Sequence, residues 1–235
     1  MRKTVDNKYC ENCGFGRKSI FRELSKNDFE KLSLNMNCNF YKKGQVIFFE
    51  GNYPGGLFCI KEGKVKVYKI GSAGKEQIIR FAKSGDALGY RALLVGETYS
   101  ASASALEDSH ICFIGKETVF ELFKTNSSFS FTMLKLLSRD LEDVENKMVK
   151  LAQKPVRERL AEALLILKET YGTDKQEYIN VSLSREDFAG IVGTATETVI
   201  RLLADFKKEN LIDTKGKKIK ITDLKNLVST GRLND

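Results

Sequence analysis

The chain is poor in the residues from which catalytic and metal centres are usually built. Its single histidine, His110, excludes a multi-histidine metal site and leaves only a lone haem ligand or a plain satisfied side chain as readings. No paired carboxylates, Ser–His–Asp arrangement or phosphate-cradling glycine loop is recognisable, so no catalytic residue can be named and an enzyme is not expected. No apolar run approaches the roughly 20 residues needed to span a bilayer. The opening Met1-Arg2-Lys3-Thr4-Val5-Asp6 also lacks the apolar segment of a secretory signal. The expectation is a cytoplasmic protein with no membrane partner, whose five cysteines are reduced rather than joined in a disulfide framework.

What is present is enough for two small folded domains: 235 residues, 42% of them hydrophobic. The formal charge of +8 suits an acidic partner such as DNA but does not single one out. From Pro155 to Asp235 there are 14 Lys and Arg against 13 Asp and Glu, so any positive surface there must be local. Lys207, Lys208, Lys215, Lys217, Lys218 and Lys220 crowd one short stretch in which Glu209 and Asp213 are the only acids. Phosphate contacts are expected from that cluster.

Three patterns follow one another along the chain. From about Phe40 to Ile114, short β-branched and aromatic runs such as Val46–Phe49, Leu57–Ile60, Val65–Tyr68 and Ile111–Ile114 alternate with glycine-containing turns, predicting a β sandwich or roll. Leu134, Leu137, Leu141, Val144, Met148 and Leu151 then recur at steps of 3, 4, 3, 4 and 3, the a/d seam of a dimerising helix, with charged residues between them. Pro155 is a natural break after it. Beyond Pro155, Ser184 opens a helix as N-cap, Gly193 closes it, and a second helix carries Val199, Leu202, Leu203 and Phe206 on one face with Glu197 and Arg201 on the other. Helix, glycine turn and helix predict a helix-turn-helix whose second member enters the major groove. There a carboxylate can accept from cytosine and a guanidinium can fork onto guanine. Leu211–Thr222 reads as strand, lysine-rich turn and strand, a wing suited to the sugar-phosphate backbone.

The stretch Leu183–Gly193 followed by Glu197-Thr198-Val199-Ile200-Arg201 resembles the helix-turn-helix of the CRP/FNR transcription-regulator family. So does the series Lys42-Lys43-Gly44, Phe49-Glu50-Gly51, Glu62–Val67 and Gly85–Gly89, which is similar to that family's β roll; the likeness runs from about Cys10 to Leu227. It implies an α+β chain: an N-terminal tail over residues 1–22, a cyclic-nucleotide-binding-type β roll over 23–127, a long dimerisation helix and hinge over 128–154, and a winged helix-turn-helix over 155–235. It also implies a homodimer on double-stranded, pseudo-palindromic operator DNA, with RNA polymerase as a partner if the protein activates. Thr196, Glu197, Ile200 and Arg201 fall at base-reading positions, and Ser184, Thr198, Lys215, Lys217 and Lys218 at phosphate-contacting ones. Ile200 departs from the FNR pattern, which has serine there, so the FNR target sequence does not transfer.

The effector is not carried over so directly. Gly89, Tyr90, Arg91, Tyr99 and Ser100 align with the family's ligand cassette, but Tyr90 replaces its glutamate and Tyr99 its arginine. Loss of that arginine's charge-assisted fork argues against cyclic AMP. Cys10, Cys13 and Cys112 correspond to three FNR cluster positions, whereas another falls on Ser19; an iron–sulfur cluster, a thiol switch and structural cysteines all stay open. Two other classes compete with the regulator: a cyclic-nucleotide-type module that controls another protein without binding DNA, and a thiol oxidoreductase using Cys10 and Cys13. The first leaves the helix-turn-helix unused, and the second lacks the βαβ context of its motif.

Overall fold

The computed structural model describes residues 19–72 and 74–232. Cys10 and Cys13 lie outside the described residues. The chain divides into two compact units, one holding residues up to Lys69 with Ile79–Glu142, the other Ile70–Ile78 with Asp143 onward.

The first unit runs α1 (Lys26–Leu34), β1 (Met36–Tyr41), β2 (Val46–Phe48), β3 (Gly56–Glu62), β4 (Lys64–Ile70), β5 (Glu76–Lys83), β6 (Ala87–Leu88), α2 (Tyr90–Val95), β7 (Ser102–Ala105), β8 (Ser109–Gly115), α3 (Lys116–Thr125) and the start of α4 (Ser127–Gln153). Two four-stranded sheets form, in the orders β1-β8-β3-β6 and β2-β7-β4-β5. The pleat sends successive residues to opposite faces, so each sheet has a face for the interior. Phe48, Ile60, Val67, Leu88, Ala103 and Ile111 meet in a core built from strands of both sheets. The other face of the first sheet, with Leu57, Cys59, Cys112 and Ile114, joins Leu32 of α1, Val119 and Leu122 of α3, and Phe129 and Met133 of α4 in a second core. The turn from β3 to β4 requires glycine: Gly63 has φ +106°, and a Cβ there would lie 2.1 Å from the Ser109 hydroxyl.

The expectation of reduced cysteines fails at one point, since Cys38 and Cys112 are joined by a disulfide. The reason is register. β1 pairs antiparallel with β8 so that these residues stand directly opposite each other and project from the same face. β1 itself escapes the sequence pattern because Met36-Asn37-Cys38-Asn39-Phe40-Tyr41 has little β-branched character.

The second unit adds the rest of α4, then α5 (Val156–Tyr171), α6 (Arg185–Val192), α7 (Thr196–Lys208), β9 (Ile212–Lys215), β10 (Lys218–Ile221) and α8 (Leu224–Gly231). Its apolar side chains include Leu160, Leu164, Phe188, Val199, Leu203, Phe206, Ile219 and Leu227, all nearly or fully buried. Glu162 of α5 is buried too, at 4% exposure, and is satisfied by the Lys150 and Lys154 ammonium groups of α4, the latter at 3.3 Å. Among the described residues no helix is long and apolar enough to cross a membrane.

Candidate nucleic-acid interface

Ser184 caps α6 with a complete capping box: its hydroxyl accepts from the Asp187 N–H at 3.0 Å, and the Asp187 carboxylate accepts from the Ser184 N–H at 2.9 Å. The helix ends at Gly193, φ +69°, a left-handed C-cap that turns the chain sharply into α7. α7 is strongly two-sided. Val199, Leu202, Leu203 and Phe206 are buried, which leaves Glu197, Ile200 and Arg201 exposed on the opposite face and Thr196 and Thr198 half-buried in the first turn. Neither Glu197 nor Arg201 has a side-chain partner among the described residues. Their donor and acceptor groups are therefore free for a base edge, and the fixed helix end orients them without loop freedom.

The wing forms as a two-stranded hairpin, Lys218 opposite Lys215 and Ile221 opposite Ile212, with Ile219 buried beneath it. Its cations differ in kind. Lys218 donates to Asp174 at 2.7 Å, Lys220 to Glu177, and Lys207 lies 2.8 Å from Asp213. Lys215 and Lys217 are exposed without an ion pair among the described residues. The Glu186 carboxyl is held below its usual range by its own backbone N–H and the Ser184 hydroxyl, with the Lys217 charge adding to that effect. Lys218 Nζ, Gln176 N–H and Tyr178 N–H likewise hold Asp174 low. Asp174 and Glu177 lie in the Thr173–Ile179 turn, which packs against the wing through a Tyr178–Lys220 bridge and an Ile179 N–H donated to the Ile219 carbonyl at 2.8 Å. Sequence reading missed both acids, which lie some forty residues from the lysines they neutralise.

The residues assigned to an effector have different surroundings. Gly89 adopts φ +82° as N-cap of α2, and a Cβ there would come within 3.1 Å of the Tyr99 ring. Tyr99 is buried, stacked on Phe48 with centroids 4.1 Å apart, and burial pushes its phenol up to about 12. Tyr90 is buried in the other core, with its hydroxyl donated to Asp140 of α4 and the Arg80 guanidinium 5.6 Å from its ring centre. Burial is the main cause raising its phenol well above the usual range. Arg91 and Ser100 point to the exterior.

On α4, five residues of the apolar seam are exposed: Leu134, Leu141, Val144, Met148 and Leu151, at 46–64%. Leu137 packs partly into the core of its own unit. Cys112 is buried and bonded to Cys38, and among the described residues no group of three or more His, Cys, Asp or Glu side chains could hold a metal ion. Cys112 is thus the one cluster candidate among the described residues, and its sulfur is already engaged.

Two family models match the chain, a cyclic nucleotide-binding domain over residues 38–126 and a Crp-like helix-turn-helix domain over residues 158–230. Electron transport regulator A of Shewanella oneidensis is 30% identical over 218 residues, covering 92% of this chain and 87% of that protein. Transcriptional activator protein anr of Pseudomonas aeruginosa is 29% identical over 219 residues, covering 92% and 89%. Among solved structures, FixK2 from Bradyrhizobium japonicum superposes with a TM-score of 0.74 at 21% identity, over 83% of this chain and 96% of that one. The c-di-GMP responsive global regulator CLP of Xanthomonas campestris gives 0.74 at 21%, over 85% and 100%. The structural likenesses establish the fold.

Proposed function

Since this chain belongs to the CRP/FNR family of DNA-binding transcription regulators, we propose that two copies of it read a pseudo-palindromic operator, each through the exposed face of α7. The observation that carries this reading is the pairing of Glu197 and Arg201, exposed, unpartnered and one turn apart on a helix whose opposite face is buried. Thr196 and Ile200 flank them as further base neighbours, Ile200 offering only apolar contact such as a thymine methyl. Ser184, Thr198, Lys215 and Lys217 supply backbone contacts, and Lys218 does so only in competition with Asp174.

The second copy is called for by α4. An apolar stripe of leucine, valine and methionine exposed along one helix is the kind of surface that a partner helix covers, with Leu134, Leu137, Leu141, Val144, Met148 and Leu151 as the seam. A two-fold pair of α7 helices then demands half-sites about one helical turn apart. Such a protein works in the compartment that holds the DNA, and RNA polymerase is its partner where it activates. Cyclic AMP is not its signal, because Tyr90 and Tyr99 are packed into the two cores at the positions of the cassette's charged residues. A module that controls another protein without binding DNA is the weaker reading, because the Crp-like helix-turn-helix match spans residues 158–230.

Selection of bound duplexes from a random-sequence pool tests the proposal. Enrichment of a two-fold repeated half-site with a fixed spacing is the expected result. Uniform recovery of unrelated sequences, with affinity set only by salt, would show that α7 does not read bases.

A further inference from the structure

We infer that Cys38 and Cys112 form a reversible thiol redox pair, oxidised by a small hydroperoxide and reduced by a dithiol, beside a buried Cys59 that takes no part. The three lie in a single row across the first sheet. Cys112 of β8 stands opposite Cys38 of β1 on one side and opposite Cys59 of β3 on the other. Directly opposed residues in antiparallel strands project from the same face, with Cβ atoms about 4.5–5.5 Å apart. All three accordingly contribute to the same core, the one shared with the helices. Cys112 therefore has a cysteine on either side, of which Cys38 is bonded and Cys59 is a free thiol; a residue of a middle antiparallel strand exchanges backbone hydrogen bonds with one neighbour only, so the two positions differ.

Three features make this a reactive site and not a fixed staple. β1 is paired with β8 along its whole length, from Met36 to Tyr41, so the strands stay together when the sulfur bridge opens. Cys38 is only half-buried, whereas Cys59 and Cys112 are at 2% and 0% exposure, which makes Cys38 the sulfur that a small solute reaches. A protein that works on DNA also sits among reducing thiol systems, where disulfides are transient.

The chemistry closes without a further reactant. A hydroperoxide O–O bond breaks as the Cys38 thiolate attacks it, giving a sulfenic acid and releasing water or an alcohol. The Cys112 thiol then attacks that sulfur, the hydroxyl leaves as water, and the S–S bond forms. In the other direction, a dithiol thiolate attacks the disulfide, and its second thiol closes the mixed disulfide, returning both protein sulfurs as thiols. Burial, with the Asp86 charge adding to it, pushes the Cys59 thiol well up, so Cys59 stays a thiol beside the pair and takes no part in the exchange. Phe129, Met133, Leu136 and Leu137 of α4 pack in the same core as the row, so a change in which sulfurs are bonded is felt at the helix that carries the apolar seam.

Trypsin places the three cysteines on separate peptides, ending at Lys42, Lys61 and Lys116, and puts Cys10 and Cys13 together on another, ending at Arg17. The full-length protein is reduced with a dithiol under native conditions, treated with hydrogen peroxide, alkylated and mapped by mass spectrometry. Wild type should reversibly gain the Lys42–Lys116 cross-linked pair of peptides. Cys38→Ser, checked for folding by circular dichroism, should gain no cross-link among these three peptides under the same treatment, and Cys59→Ser should keep the wild-type pair. A wild-type bridge that yields to dithiol only after denaturation would overturn the inference, as would a Lys61–Lys116 pair in folded Cys38→Ser or loss of the wild-type pair in folded Cys59→Ser.

Discussion

The Lys218 ammonium lies 2.7 Å from an Asp174 carboxylate oxygen, whereas Lys217, its neighbour in sequence, is exposed with no ion pair among the described residues. The two lysines should therefore contribute unequally to DNA binding. Each phosphate neutralised by a free cation steepens the salt dependence of binding by about 0.9 in log–log slope, and a cation already neutralised adds less. Lys217→Ala should flatten the slope by about one such step and weaken specific and random DNA alike. Lys218→Ala should change it less, and Asp174→Asn should steepen it by freeing Lys218. Fluorescence anisotropy over a salt series measures all three; equal slopes for the two lysine variants would refute the distinction.

The same pair has a definite pH response. Asp174 is held below the ordinary carboxylate range by Lys218 and two backbone N–H groups, so in the folded protein the contact is intact above the usual carboxylate pKa. It gives way only as pH falls through the depressed value. Nuclear magnetic resonance titration of the Asp174 carboxyl should show a midpoint below that of Asp174 in Lys218→Ala; coincident midpoints would remove Lys218 as the cause.

Arg201→Ala should reduce discrimination between a selected operator and random DNA by about 1–3 kcal/mol for each base that the guanidinium reads, with little change on random DNA. Its guanidinium is exposed and has no partner among the described residues, so removal should leave the fold intact. Competition binding separates the two quantities, and equal weakening on both DNAs would place Arg201 on the sugar-phosphate backbone.

Much of this architecture was legible because local rules and packing agree. Ser184, Asp187 and Gly193 mark the ends of α6 by capping chemistry alone, and Val199, Leu202, Leu203 and Phe206 mark the buried side of α7 by their spacing. The features that could not be read depend on register or distance in sequence. Cys38 meets Cys112 only because β1 and β8 are aligned at that residue. Lys218 and Lys220 count as free cations in any sequence tally, until the Thr173–Ile179 turn brings Asp174 and Glu177 to them. Glu162 occupies an apolar helix pattern as a polar exception, and only its ion pairs with Lys150 and Lys154 explain it.

That buried carboxylate gives an asymmetric prediction. Glu162→Gln keeps the shape and some hydrogen bonding, and should cost about 1–3 kcal/mol in urea unfolding. Replacing Lys150 and Lys154 together by Met leaves the Glu162 charge buried without a partner, and should cost more, about 3–5 kcal/mol. The reverse order would mean that solvent, not the lysines, satisfies Glu162.

Leu141→Lys combined with Val144→Lys should convert dimer to monomer in sedimentation at micromolar concentration. Both side chains are exposed in the single chain, at 60% and 48%, so the substitutions strain no core of the monomer and act on the seam alone. A monomeric wild type under the same conditions would defeat the dimer, and with it the expectation of a two-fold operator.

Calorimetric titration with cyclic AMP should give no binding heat, and the reason lies in two aromatic rings. In the aligned cassette a carboxylate and a guanidinium hold the ribose and the cyclic phosphate; here Tyr90 and Tyr99 stand in their places. Both are buried, Tyr99 stacked on Phe48 and Tyr90 hydrogen-bonded to Asp140. Neither phenol can supply the phosphate with a countercharge or a planar fork. Both hydroxyls are neutral at pH 7, as phenols ordinarily are, and burial moves them further from ionisation. Arg80 lies against the Tyr90 ring and donates to the Ala87 carbonyl at 2.9 Å, so it is already engaged, and Arg91 is exposed. A nucleotide would have to displace Tyr99 from Phe48, giving up a stacked pair worth about 0.5–1.5 kcal/mol beyond its buried area. Tyr99→Ala should remove that obstacle without supplying the missing charge, and so should also fail to bind. Micromolar binding of cyclic AMP by the wild type, accompanied by tighter operator binding, would show that the rings yield and that the anion finds another partner.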